Sequence, residues 1–430
     1  MPSTFLGLNT GLSGLNFYQA NMHTTAHNIS NADVKGYSRQ TVLSQAADAL
    51  RVNNTYGMMG TGVKATGITQ LRNIYYDTKY HAAQSQYSEY AGAKEQLTQL
   101  QSYLNEMQSE TGYTKLLSEL SSALQDLSSS PADATYRTQF IKSAQNFTDL
   151  IKETGTNYRN TQQDINNEVA IHVDSINSIA SQIYTLNQQI MNIETRSGSA
   201  NDLRDQRELL VDQLSELVNV TVTETPIKYG FGADAVESGA SRYEVRIGNT
   251  VLVDEMECKQ LKVVARQEKV NQNDIDGLYD VYWEGLNQTI GEKFNFNSEN
   301  VTGRIKGLLE VRDGNNANPF SGTITSMATG TGNGSTASVH LSKAISIDQL
   351  NLPESGIITL NCKEYYYDSW EATKDAKGNL TSFIFKNLTV QDETGRRVPA
   401  TFDVATDVGK EAIVGERVDC KGIPYYMTQL

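Results

Sequence analysis

Five histidines, three cysteines and a few carboxylate- and glycine-rich stretches are the residues of this chain that could do chemistry. His23 and His27 stand four apart and could share a helix face as metal ligands. No glutamate fills the place between them that a zinc-protease helix requires, and no third ligand lies nearby, so a polar helix face is expected. His172 falls on a regular apolar seam, where a satisfied buried histidine that sets register is the simpler reading. Asn273-Asp-Ile-Asp-Gly277 resembles part of a calcium loop. Gln272 would fill its first position and Trp283 its twelfth, where an acid is needed, so the stretch reads as a turn. Cys258, Cys362 and Cys420 are odd in number and widely spaced, and without a CxxC they suggest neither disulfides nor zinc. Gly60-Thr-Gly62 and Gly330-Thr-Gly-Asn-Gly334 are isolated turns rather than phosphate loops, and no GxSxG or Walker sequence occurs. Sequons such as Asn28-Ile-Ser30 and Asn387-Leu-Thr389 are what chance gives in so Asn/Ser/Thr-rich a chain. The expectation is therefore no enzyme, no cofactor and no metal.

The elements that would have to position such residues are arranged for something else. Thirty-six basic against fifty acidic residues leave a net charge of −14 over 430 residues, which argues against nucleic acid and against anionic membrane as partners. No run of eighteen apolar residues exists, and the N-terminus has neither the basic nor the apolar region of a cleaved secretory signal. Phe5, Leu8, Leu12, Leu15, Met22 and Ile29 recur at helical spacing and predict an amphipathic arm. Glycines 7, 11 and 14 each cost that helix about 0.5–1 kcal/mol, so the arm is expected to need a partner. The chain turns at Asn28 to Gly36, and Tyr37–Leu43 with Gly62–Leu71 can pair as a hairpin.

Helical spacing returns at 87–127, with a break near Gly112, and again after Ser130-Pro131. Tyr158, Gln162, Ile165, Val169, His172, Ile176, Ile179, Ile183, Leu186, Ile190 and Ile193 then alternate by four and three, the seam of a coiled coil. One helix from 133 to 195 would run roughly 90 Å. This is a rod, expected to pack antiparallel against 87–127. Arg196 to Ala200 makes its hairpin, and Asn201 or Asp202 can cap the next helix. From Val218 onward β-branched and aromatic residues alternate with turns, with strands expected at 242–247, 250–253, 260–264 and 279–283. After a Gly/Ser/Thr loop at 328–335, further strands are expected at 356–360, 364–367, 382–385 and 400–404. The fold class is multidomain α+β, an amphipathic arm and a long antiparallel coiled-coil-like rod followed by one or two mainly β domains. In chain order the segments are 1–75 (arm and hairpin), 76–217 (rod), 218–319 (first β domain) and 320–430 (second β domain and the start of a return segment).

Several stretches carry a resemblance. Asn28-Ile-Ser-Asn31 with Gly36-Tyr37-Ser-Arg39-Gln40 resembles the N-terminal signature of the flagellar axial family, and its Tyr-Ser-Arg-Gln ending is similar to that of the hook-associated members. Gly60 to Ile68, Asn201-Asp-Leu-Arg-Asp-Gln-Arg207 and Gly303-Arg-Ile-Lys-Gly-Leu-Leu-Glu-Val-Arg-Asp313 agree in order and spacing, and Gly422 to Leu430 is similar to the start of a return helix. Ala32-Asp-Val-Lys35 departs from the pattern in lacking the proline usual before Gly36. The chain also reads as lacking the family's C-terminal helical arm. The resemblance implies an extracellular structural subunit in a ring at the hook–filament junction, touching copies of itself, hook protein and a second junction protein. It also implies delivery by the flagellar type III export apparatus, with an export chaperone whose site would lie in the missing C-terminal arm. The rival reading is a surface-binding, adhesin-like module carried by the tyrosines at 365–367.

Overall fold

The computed structural model describes residues 5–51, 57–104, 112–196, 198–229, 236–285, 289–296, 298, 300–316, 320–330, 334–346, 350–391, 396–414, 418 and 420–430. The first half of the chain runs α1 (Leu6–Ser30), β1 (Gln40–Ala46), β2 (Leu50–Arg51), β3 (Met58–Met59), β4 (Val63–Gln70), α2 (Ile74–Ser102), α3 (Tyr113–Ser129), α4 (Ala134–Glu194) and α5 (Asn201–Leu217). Then follow β5 (Val220–Tyr229), β6 (Val236–Ile247), β7 (Thr250–Val253), β8 (Leu261–Ala265), β9 (Tyr279–Glu284), β10 (Ile290–Lys293) and α6 (Arg304–Asp313). The remainder is β11 (Phe320–Ala328), β12 (Ser335–Ile345), β13 (Gly356–Leu360), β14 (Lys363–Tyr367), β15 (Ser369–Lys374), β16 (Leu380–Gln391), β17 (Arg397–Pro399), α7 (Val404–Asp407), β18 (Glu411–Val414) and α8 (Ile423–Gln429). Two compact units result, Met1–Tyr87 with Asp174–Gln260 and Ser88–Val173 with Leu261–Leu430. Each is assembled from two stretches, so compactness cuts across the four consecutive segments read from the sequence.

In the first unit β1 and β4 pair antiparallel from Gln40↔Gln70 to Ala46↔Val63; the first strand begins three residues after the expected Tyr37, and the second lies within the expected Gly62–Leu71. The end of α4 packs antiparallel on α5, as Arg204 reaches back to Glu194 and Arg207 to Asn187. β5, β6 and β7 form an antiparallel sheet, with Val245, Ile247 and Leu252 in the core. The expected side-chain cap of α5 is absent: Ala200 is the N-cap, and Asn201 and Asp202 bond elsewhere.

The helix α4 is unbroken through Gly155 for 61 residues, about 90 Å. Of its expected seam, Ile165, Val169, Ile176, Ile183 and Ile190 are fully buried, while Ile179 and Leu186 are half-buried. His172 is half-buried too, and one residue after His172, Ile179 and Leu186 the positions Val173, Ala180 and Asn187 are buried instead. The reason is geometric. A straight 3.6-residue helix drifts off a 3.5-residue repeat, and the face here lies against strands as well as helices: Asn187 Nδ2 donates to the carbonyl of Tyr243 in β6 at 3.3 Å.

In the second unit the end of α2 lies antiparallel to α4, with Gln96 against Glu168 and Tyr103 against Tyr158. β8, β9 and β10 make a small antiparallel sheet. Strands β12, β11, β18, β13, β14 and β16 pair in succession, and β16 pairs back to β12, closing a six-stranded barrel around Val339, Ile358, Tyr367, Phe383 and Phe385. The Gly/Ser/Thr stretch joins β11 to β12 rather than preceding the barrel, and its residues 331–333 lie outside the described ones. The strand expected at 400–404 does not form. Ala400 is buried, but the chain turns there into α7.

Candidate assembly surface

Among its 25 residues α1 has no Asp, Glu, Lys or Arg, in a chain of net charge −14. Thr24 is its one buried residue. Phe5, Leu8, Leu12, Leu15, Met22 and Ile29 are between 52% and 72% exposed, and Tyr18 extends the same open surface. The helix is held from beneath by a few polar contacts. Ser13 Oγ accepts the Val63 N–H at 3.3 Å. A Cβ on Gly62, whose φ is +118°, would fall 2.0 Å from that hydroxyl, so the close approach requires glycine.

The residues after α1 explain why the chain needs its motif. Asn28 behaves as a strand partner: its Oδ1 accepts the Gln40 N–H at 2.9 Å and its Nδ2 donates to the Gln40 carbonyl at 2.9 Å. Tyr37 Oη donates to the same Oδ1 at 2.8 Å, so the contact of His27 Nδ1 with Tyr37 Oη, 2.9 Å, has the imidazole as donor. Asn31 Nδ2 closes the helix end on the His27 carbonyl. Gly36 sits at φ +85° with its Cβ position 3.1 Å from Leu209, a turn that would strain any other residue. Arg39 is exposed, and its carbonyl accepts the Leu71 N–H at 2.8 Å.

The second motif block lies directly against the first. Gln40 Nε2 donates to Asp202 Oδ1 at 2.9 Å, and the Ser38 N–H to Asp205 Oδ2 at 3.1 Å. Gln70 Nε2 donates to the Asn201 carbonyl at 2.7 Å. Burial pushes the Asp205 carboxyl above the usual range although the Ser38 N–H bonds to it. Arg204 binds both oxygens of Glu194 and reaches Glu224 at 2.9 Å. Burial alone would raise the Glu224 carboxyl, but Arg204 outweighs it and holds it low. Two stretches about 165 residues apart in the chain thus clasp each other, and α1 extends from the clasp. Sequence reasoning named both blocks without showing that they meet. A residue read as a helix cap, Asp202, is the link.

The third motif block is α6, in the second unit. Gly307 lets α6 cross α2 so closely that a Cβ would lie 2.2 Å from the Glu89 carbonyl oxygen. Arg304 bonds to Glu168 at 2.8 Å and Glu95 at 3.0 Å. Arg312, wholly buried, grips Asp313 through two bonds and also reaches Asn166 Oδ1 and the Tyr279 carbonyl. Burial would raise the Asp313 carboxyl, yet Arg266 and Arg312 hold it well below the carboxylate range. These are packing and orientation contacts. Among the described residues no three His, Cys, Asp or Glu side chains are grouped to hold a metal ion, and no helix is long and apolar enough to cross a membrane. Tyr365 and Tyr367, which would carry the adhesin-like reading, are 4% and 1% exposed, because β14 turns alternate side chains into the barrel core.

The family model described as flagellar hook-associated protein FlgK helical domain matches residues 97–334, and that described as flagella basal body rod protein matches 8–37. Flagellar hook-associated protein 1 of Bacillus subtilis is 32% identical over 57% of the chain and 49% of that protein. The protein of the same name from Escherichia coli is 31% identical over 50% of the chain and 39% of its own length. The chain thus spans half or less of the curated relatives it matches. A solved structure titled as the flagellar hook junction protein FlgK from Burkholderia pseudomallei is 19% identical, with a TM-score of 0.49, covering 80% of this chain and 64% of that one. The open apolar arm falls largely within the stretch that the basal body rod model matches. The chain belongs to the family of the flagellar hook-associated protein FlgK helical domain.

Proposed function

We propose that the protein is a structural subunit of the extracellular bacterial flagellum at the junction of hook and filament, joined to its neighbours through α1. The observation that carries this reading is the clasp of Asn28, Tyr37 and Gln40 with Asp202 and Asp205, which holds an uncharged helix with six large apolar side chains open to solvent. An uncharged arm meets copies of itself without like-charge repulsion, and burying its apolar face contributes about 25 cal/mol per Å². The partners are further copies in a ring, hook protein and a second junction protein, and the chain reaches them through the flagellar type III export apparatus with the help of an export chaperone. The seam Ile165, Val169, Ile176, Ile179, Ile183, Leu186 and Ile190 serves the subunit's own core.

The test is genetic. Leu8→Asp with Leu12→Asp, introduced at the gene's own locus in the producing bacterium, should abolish filament growth and swimming while the protein is still made and exported. Swimming at the unaltered rate would remove the arm from the assembly and the proposal with it.

A further inference from the structure

The stretch that reads as a fragment of a calcium loop ends in Asp276-Gly277, and the chain holds one other Asp-Gly pair, Asp313-Gly314. This dipeptide carries a reaction of its own. The glycine amide nitrogen can attack the side-chain carboxyl of the preceding residue, because no Cβ on the glycine screens it. A bond forms between the glycine N and the aspartyl Cγ, the carboxyl hydroxyl leaves with the amide proton as water, and a succinimide ring results. Water then opens the ring. Addition at the carbonyl next to Cα routes the backbone through Cβ and gives isoaspartate, so solvent is the only co-reactant and nothing is oxidised or reduced.

The fold puts the two pairs in opposite settings. The Asp276 side chain is 91% exposed and meets Lys269 Nζ at 3.3 Å. Gly277 is exposed at φ +76°, nothing lies within 4 Å of the position a Cβ would take, and among the described residues its N–H makes no hydrogen bond. Nucleophile and carboxyl are therefore both open. Asp313 is buried, and Arg312 at 2.7 Å and Arg266 at 2.9 Å hold its carboxyl ionised, a far poorer electrophile than the neutral acid. The Cβ position of Gly314 lies 2.3 Å from the Glu310 carbonyl oxygen and 2.6 Å from the Gly422 nitrogen, so the backbone there has no room to swing into a ring.

We propose that Asp276-Gly277 is a site of spontaneous isomerisation to isoaspartate while Asp313-Gly314 is protected, and that the modification loosens the turn before β9 as the protein ages. The anchors of that turn are on the page. The Ile275 N–H donates to Gln162 Oε1 at 3.1 Å and the Tyr279 N–H to Asn166 Oδ1 at 2.8 Å, both acceptors standing on α4. Isoaspartate inserts a further backbone atom between these two anchors. Side chains one helical turn apart on a rigid helix cannot follow the added length, so the paired bonds open more often.

The full chain, incubated for weeks at pH 7.4 and 37 °C and then digested, tests this by electron-transfer fragmentation, which distinguishes isoaspartate from aspartate. Isoaspartate should accumulate at 276 and stay absent at 313 in the native protein, and should form at both in guanidinium-unfolded chain. Asp276→Glu, whose longer side chain would have to close a larger ring, should abolish the signal at 276. Amide exchange at Ile275 and Tyr279 should be severalfold faster in aged wild type than in aged Asp276→Glu. Native protein that is free of isoaspartate at 276 when the unfolded chain has formed it, or that is as rich in it at 313, overturns the site. Isomerised protein that exchanges at Ile275 and Tyr279 no faster than fresh protein overturns the loosening.

Discussion

The arm α1 and the second half of α4 carry the same pattern of large apolar residues at three- and four-residue spacing, and they end in opposite places. Ile176, Ile183 and Ile190 of α4 are at most 2% exposed, whereas Leu8, Leu12 and Met22 of α1 are more than half exposed. The difference is in what surrounds the stripe. The helix α4 meets α5 and β6 through Glu194 and Asn187, polar groups that fix its neighbours in register. Glycines at 7, 11 and 14 weaken α1, and it is bonded to its own unit through Ser13, His27 and Asn28 with Thr24 as its one buried residue. Apolar periodicity thus marks a face to be buried without saying by what, and the flanking polar contacts say whether the partner is in the same chain.

The largest effect is expected where the stripe is already covered. Ile183→Asp places an unpaired carboxylate in a wholly buried site and should cost about 4 kcal/mol or more in a denaturant melt, while Gln189→Asp, on the exposed side of the same helix, should be nearly silent. Equal losses would mean that the face is misassigned. A smaller loss is expected at the crossing of α6 on α2. Gly307→Ala forces a Cβ against the Glu89 carbonyl and should cost about 2 kcal/mol, because backbone, not a flexible side chain, must give way. Leu12→Asp completes the series, with a change within about 0.5 kcal/mol in the free chain, since its side chain is already wet. A loss like that of Ile183→Asp would erase the distinction between the two helices.

Much of this was legible in the sequence, and the exceptions have physical causes. The four-three spacing of residues 158–193 gives the long helix, and alternation gives β13, β14 and part of β16, three of the six barrel strands. The strands β11 and β12, which flank the Gly/Ser/Thr loop, and β15 and β18 are not legible there. β18 is four residues long, and β15, with Glu371, Thr373 and Lys374, lies at the sheet edge where burial imposes little alternation. Ala400 to Val404 has the composition of a strand, yet one buried alanine does not make a ladder. The repeat locates the seam to within one residue and no closer, because it cannot tell a helical partner from a sheet. The candidate site was half legible. Asn28, Gly36, Tyr37 and Gln40 stood out as a motif, while their partners Asp202 and Asp205 lie more than 160 positions away, and only the fold brings them together.

Hydrogen exchange along α1, compared between the free chain and flagella isolated from the producing bacterium, tests the assembly role most directly. The amides of residues 6–30 should exchange far faster than those of residues 176–190 in the free chain and become as protected as them in the assembled flagellum. Slow exchange of α1 in the free monomer, or fast exchange that persists after assembly, would contradict the claim that this helix is kept open for its neighbours.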